Sequence, residues 1–227
     1  MIPIRDENPT TLVPWVTGSL IAANILVFVF EVSLGERLRP FLDLFGAVPV
    51  RLLSSDRVDG AGLPASVTVF SSMFLHGGFL HIGGNMIYLW IFGNNVEDAM
   101  GHLRYLFFYV ISGVVAVYAH ALTEPSSMMP MIGASGAISG VLGAYLVLFP
   151  RARVLTLVPF GFFLQLMRIP AVFVLGFWIV LQLLSGVLSH GAPGGGVAWF
   201  AHVGGFLAGV TLVRLLVRRD FRPRHQL

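Results

Sequence analysis

Ser135 stands in a run of small residues, Gly133-Ala134-Ser135-Gly136, at the head of an apolar segment of helical length. A hydroxyl flanked by residues with almost no side chain can be approached closely by other backbone, as a nucleophile requires. A second segment, Ala201-His202-Val203-Gly204-Gly205, offers an imidazole in equally small company. Histidine is the side chain most often used to take a serine's proton. A third segment carries His76, His81 and Asn85, the last two four residues apart and so on one helical face. Imidazole and carboxamide N–H groups suit the stabilisation of an oxyanion. Together these residue types define acyl transfer through an activated serine, provided the three segments meet.

The residues the chain lacks narrow the chemistry further. There is no cysteine, which removes disulfides, thiol catalysis and cysteine-ligated metals. Every basic residue is arginine, so neither a Ser-Lys pair nor a Schiff-base lysine is available. A metal site built from His76, His81 and His202 is disfavoured because no H-E-x-x-H exists and no carboxylate is expected in the outer half of any span. The same expectation leaves no acid for a triad, so a Ser135–His202 dyad remains, and no metal or cofactor is implied. Two facing aspartates for aspartyl chemistry are also missing. The net charge is +3, but the arginines are spread over loops and one tail, which does not suit nucleic-acid binding.

Composition says what must position these groups. The chain is 56% hydrophobic and 11% charged, against about 25% charge in a soluble domain. Apolar runs recur near 14–33, 81–100, 103–122, 134–149, 171–188 and 199–217, each set against a bilayer core of about 30 Å. The expected fold is all-α: one polytopic membrane domain over 1–227, with six transmembrane helices in the lipid bilayer. The first run reads as a retained span rather than a cleaved signal. Placing the N-terminus inside puts Arg5, Arg104, Arg151, Arg153, Arg168 and the Arg214–Arg224 tail on the cytoplasmic side. Only Arg37, Arg39, Arg51 and Arg57 then fall outside, so the positive-inside rule puts both termini in the cytoplasm.

The long first loop, about 34–80, alternates Phe41, Leu42, Leu44, Phe45, Leu52 and Leu53 with charges, as short interfacial helices do. The 150–170 connection is too short for a helical hairpin through the bilayer and is expected at the cytoplasmic surface. The fourth span, from Gly133 to Phe149, rises only about 25 Å at 1.5 Å per residue. Its inner end is pinned by Pro150 and two arginines, so Ser135 should sink below the outer surface. The 123–132 segment must descend to it, which lipid permits only for backbone buried in protein or lining a wet cavity. Gly136 and Gly140 in the fourth span, and Gly205 and Gly209 in the sixth, form faces on which two helix backbones can touch. Those faces bring Ser135 and His202 to matching depth. Glu97, with Asn94, Asn95 and Asp98, reads as a helix-end network with Arg104, and His102, His190 and His225 as solvated. His120, ending the third span, is given no role.

These residues resemble the rhomboid family of intramembrane serine proteases. The likeness runs through Phe74-Leu75-His76-Gly77-Gly78-Phe79-Leu80-His81-Ile82-Gly83-Gly84-Asn85, then Gly93, Glu97 and Gly101, then Gly133-Ala134-Ser135-Gly136, then Ala201-His202 with Gly205 and Gly209. The resemblance implies Ser135 as nucleophile, His202 as general base, and His81, Asn85 and the Ser135 backbone N–H as oxyanion donors. It also implies His76 as a supporting residue. Two positions depart from the family pattern: Val67-Thr68-Val69 stands where a Trp-Arg pair is frequent, and Ser139 where an aromatic often stacks on the histidine. The implied partners are transmembrane protein substrates, entering laterally past the second and fifth spans. The 189–198 loop, with Pro193 and Gly194-Gly195-Gly196, suits a flexible cap. A bacterial inner membrane is the expected location, since a lysine-free, Arg- and Gly-rich chain fits a GC-rich genome. The rival is a non-proteolytic relative that binds or escorts membrane proteins; such proteins usually lack the serine or the histidine, and both are present here. A small transporter is disfavoured because no acid is expected mid-membrane.

Overall fold

The structure, a computed structural model, describes residues 1–54, 63–161, 163–189 and 197–221. Six long helices lie where the apolar runs place them: α1 (Trp15–Ser33), α5 (Phe79–Met100), α6 (His102–Thr123), α7 (Ser135–Leu148), α8 (Ala171–Ser189) and α9 (Trp199–Leu216). Three shorter ones, α2 (Leu38–Phe45), α3 (Pro49–Leu53) and α4 (Ala65–Ser71), occupy the first loop. By length and composition α1, α6, α8 and α9 can each cross a membrane, while α7 is a shorter apolar helix of 14 residues. At 1.5 Å per residue α7 spans only about 21 Å, short of a bilayer core of about 30 Å.

The core is a seam of small residues. A Cβ on Gly205 would collide with the carbonyl oxygen of Gly136, and one on Gly209 with that of Gly140. One on Gly143 would strike the Phe206 carbonyl, so α7 and α9 touch backbone to backbone over two turns. Helix α6 closes the third side with its own small face: Ala116 lies over Gly136, Ser112 over Gly140, and Ala119 over Gly204. The 123–132 connection runs beside this core, and part of its backbone is paired with the first loop. Met131 exchanges both hydrogen bonds with Ala47, at 2.8 and 3.1 Å, and Gly133 N–H donates to the Ser72 carbonyl at 2.8 Å. The first loop thus supplies the partners that irregular backbone needs at this depth.

The helical class gains one feature that the sequence reading omits. The 150–170 connection is a β-hairpin of β2 (Arg153–Phe160) and β3 (Phe163–Pro170), and β1 (Ile2–Asp6) adds antiparallel to β2, giving the order β1-β2-β3. Pro150 stops α7, and the apolar run after it is of strand rather than helix length. Gly161, with φ +61°, turns the hairpin. Arg168 pairs with Glu7 at 2.8 Å, and Tyr145 O–H donates to Asp6 at 2.7 Å, fastening the sheet to α7.

The end of α5 holds the start of the chain. Glu97, fully buried, accepts from Val16 N–H (2.9 Å), Thr17 N–H (2.8 Å) and Thr17 O–H (2.7 Å), so it caps the α1 N-terminus from another helix. Asp98 accepts from Thr11 N–H and O–H and from Leu12 N–H in the same way. The partner of Glu97 is therefore not Arg104, which is exposed, but His102 at 2.6 Å, so His102 is engaged rather than solvated. His190, His225 and most of the proposed cap, residues 190–196, lie outside the described residues.

The seam generates a stability prediction. Gly209→Ala forces backbone apart and should cost about 1–3 kcal/mol, read as a lower thermal midpoint in detergent. Gly176→Ala in α8, where a Cβ meets nothing within 4 Å, should leave the midpoint unchanged or higher.

Candidate active site

Ser135 opens α7 and His202 sits in the first turn of α9, one seam contact away from each other. The imidazole Nε2 lies 2.8 Å from Ser135 Oγ. His202 is buried and Ser135 half-buried, facing a cavity of about 1740 Å³ whose lining includes residues of α5, α7, α8 and α9. As a residue in the first helical turn, Ser135 presents a backbone N–H with no intrahelical acceptor, in the region where the helix dipole favours negative charge.

His81 and Asn85 line the same cavity from α5. Their partners fix which atoms are free to donate. Gly77 N–H donates to His81 Nδ1 at 3.3 Å, so the proton of a neutral ring sits on Nε2. That nitrogen points at Gly133, where an added Cβ would stand only 2.7 Å from it. Gly133 also has φ +119°, a backbone state that side chains resist, so glycine is required there twice over. Asn85 donates one amide hydrogen to His76 Nε2 at 3.0 Å and keeps the second. His76 is itself set by the Phe74 carbonyl at Nδ1, 3.3 Å away, and is buried beneath the site rather than lining it. The structure thus brings Ser135, His202, His81 and Asn85 around one cavity, with His76 and Gly133 holding them.

Three parts of this arrangement escape the sequence reading. The expectation of no carboxylate in the outer half of a span does not hold: Glu31, in the last turn of α1, is buried and accepts the His76 backbone N–H at 3.2 Å on each oxygen. It fixes the His76 segment and is not hydrogen-bonded to Ser135 or His202. Ser139 does not face the imidazole either; its hydroxyl donates back to the Ser135 carbonyl at 2.6 Å. His202 is flanked instead by Trp178 of α8, centroid 5.9 Å away and tilted 37°, and by Trp199 edge-on at 6.2 Å. Gln182, also on α8, meets His202 Nδ1 at 2.7 Å. A polar residue inside an apolar span was the available signal for Gln182. His120, given no role from sequence, lines the cavity as well.

Apolar helices of membrane-crossing length around a serine-bearing cavity mark an integral membrane protein. The chain belongs to the rhomboid family: residues 65–219 match the family model described as the Rhomboid domain. It is similar to RHOMBOID-like protein 5 of Arabidopsis thaliana, 29% identical over 236 aligned positions, covering 95% of this chain and 72% of that protein. It is 30% identical over 155 positions to Rhomboid protein 1, mitochondrial, of Saccharomyces cerevisiae, covering 64% of this chain and 40% of that protein. With Rhomboid protease GluP of Bacillus subtilis it shares 32% over 134 positions, 59% of this chain and 24% of that protein. The chain thus spans less than half the length of the latter two.

The geometry predicts that a fluorophosphonate probe labels Ser135 in the folded protein. Gly133→Ala should slow that labelling by roughly tenfold or more, the scale of losing an oxyanion donor, while the helical circular dichroism is retained. Labelling is read by peptide mass spectrometry.

Proposed function

We propose that the chain is an intramembrane serine endopeptidase that cuts transmembrane segments of other membrane proteins near the outer face of the bilayer. The observation that carries this reading is the 2.8 Å contact between Ser135 Oγ and His202 Nε2, in a cavity lined by both α5 and α8. In the proposed reaction His202 Nε2 takes the hydroxyl proton as Ser135 Oγ attacks the scissile carbonyl carbon. The oxyanion gathers hydrogen bonds from Ser135 N–H, His81 Nε2–H and the free Asn85 amide hydrogen. The imidazolium then protonates the leaving amine, the C–N bond breaks, and an acyl-serine remains. Water, deprotonated by His202, attacks the ester; the new carboxyl end leaves, and the proton returns to Ser135.

The substrate enters between α5 and α8, past Tyr88 and Trp178, which line the cavity from those two helices. A helical segment must unwind locally to present its carbonyl, so helix-destabilising and small residues favour cleavage. Both termini lie in the cytoplasm, as the distribution of arginines suggests, and the lysine-free, Arg- and Gly-rich composition fits a bacterial inner membrane. The names of the bacterial relatives, among them Rhomboid protease GluP and Putative rhomboid protease YdcA, support the protease reading.

Purified protein in detergent or vesicles is expected to cleave a model transmembrane substrate, and Ser135→Ala or His202→Ala to abolish cleavage. His81→Ala and Asn85→Ala should each lower kcat by roughly ten- to a thousandfold. Wild type that binds the substrate without cutting it would instead favour an escort function; serine and histidine variants that cut as fast as wild type would refute the dyad.

A further inference from the structure

Gln182 is buried in the middle of α8, a costly place for a carboxamide unless its hydrogen bonds are made. They are made, and they determine which way the amide points. Its Nε2 donates to the Trp178 carbonyl one turn earlier, at 3.3 Å, which turns Oε1 toward His202 Nδ1 at 2.7 Å. A carboxamide oxygen only accepts, so Nδ1 must be the protonated nitrogen. The lone pair is then on Nε2, and Nε2 is the atom 2.8 Å from Ser135 Oγ. With the opposite tautomer the ring would set two acceptors against each other at Gln182 and could not receive the serine's proton.

The surrounding residues show why such a device is needed. The position one turn after the nucleophile is Ser139, whose hydroxyl is spent on its own helix and gives the imidazole no support. Trp178 and Trp199 confine the ring by shape but carry no acceptor for Nδ1–H. Gln182 is the hydrogen-bond partner found for that nitrogen among the described residues. A carboxylate would do the same at the cost of a buried charge, whereas an amide oxygen orients the ring and stays neutral.

We infer that Gln182 is the positioning residue of His202: it sets the tautomer and ring orientation that make Nε2 the proton acceptor for Ser135. This inference rests on the protease reading for its effect on rate, but not for the tautomer itself. The test therefore has two readouts. In wild-type protein labelled with 15N-histidine, the His202 signals, assigned by comparison with His202→Ala, should show a protonated Nδ1 and an unprotonated Nε2. In Gln182→Leu, which keeps the bulk and removes the acceptor, those signals should shift toward a mixture of tautomers.

In the cleavage assay Gln182→Leu should lower kcat by roughly ten- to a hundredfold with little change in KM. Gln182→Glu, which retains an acceptor oxygen whether ionised or not, should recover most of the rate. The inference is overturned if Gln182→Leu keeps the wild-type tautomer and kcat. It is also overturned if the Leu and Glu variants lose rate equally, with a matching fall in thermal midpoint, since that marks a packing role. A wild-type protein with protonated Nδ1 that cuts no substrate would sink the protease reading and leave the positioning role standing.

Discussion

The contact on which everything else depends is backbone against backbone: α7 on α9, glycine against carbonyl. Gly205 and Gly209 lie so close to the Gly136 and Gly140 carbonyls that a single methyl group on either would part the helices. A hydrogen bond tolerates a few tenths of an ångström, and the separation of Ser135 and His202 is set by this seam. The serine hydroxyl is short, so it cannot compensate for a wider crossing. In lipid, where apolar burial does not drive helices together, such close packing is also what holds them.

At the opposite end the problem is reversed, because charge must be buried rather than backbone brought together. Glu97 and Asp98 sit at the last turn of α5 and receive six hydrogen bonds from the segment leading into α1 and from its first turn, and Glu97 meets His102 as well. The first helix is thereby docked by its free N–H groups, which costs no designed cap of its own. With the Tyr145–Asp6 and Arg168–Glu7 bonds, the chain's beginning is fixed to α5, α7 and the sheet at once. The seam positions Ser135 and His202, and this polar cluster keeps the surrounding helices in register with them.

What the sequence made legible follows from the range of the forces involved. Span positions, the short α7 and the paired glycine faces depend on hydropathy, length and spacing, all local quantities, and they fall where expected. The strands β2 and β3 were missed because a short apolar run reads alike as strand, buried helix or interfacial segment. Glu31, Trp178 and Gln182 were missed for another reason. Whether a polar residue in a span meets a distant partner depends on helix rotation and tilt, which no spacing within one helix encodes. His102 was misjudged likewise: its partner Glu97 lies only five residues away, but across the sharp break at Gly101, with φ +80°. The resemblance supplied the roles of Ser135 and His202; it could not supply the groups that replace the missing aromatic at Ser139.

The glycines of the seam bear on stability in a further way. In water, three glycines in a 14-residue helix such as α7 would each forfeit about 1 kcal/mol against alanine, because the unfolded chain they leave is unusually free. Inside a bilayer that reference state does not exist: a separated segment remains helical, since no water is present to solvate its backbone. The entropy that makes glycine a poor helix former in solution is thus never available to be lost. The solvent makes nearly costless the one residue type thin enough for this crossing.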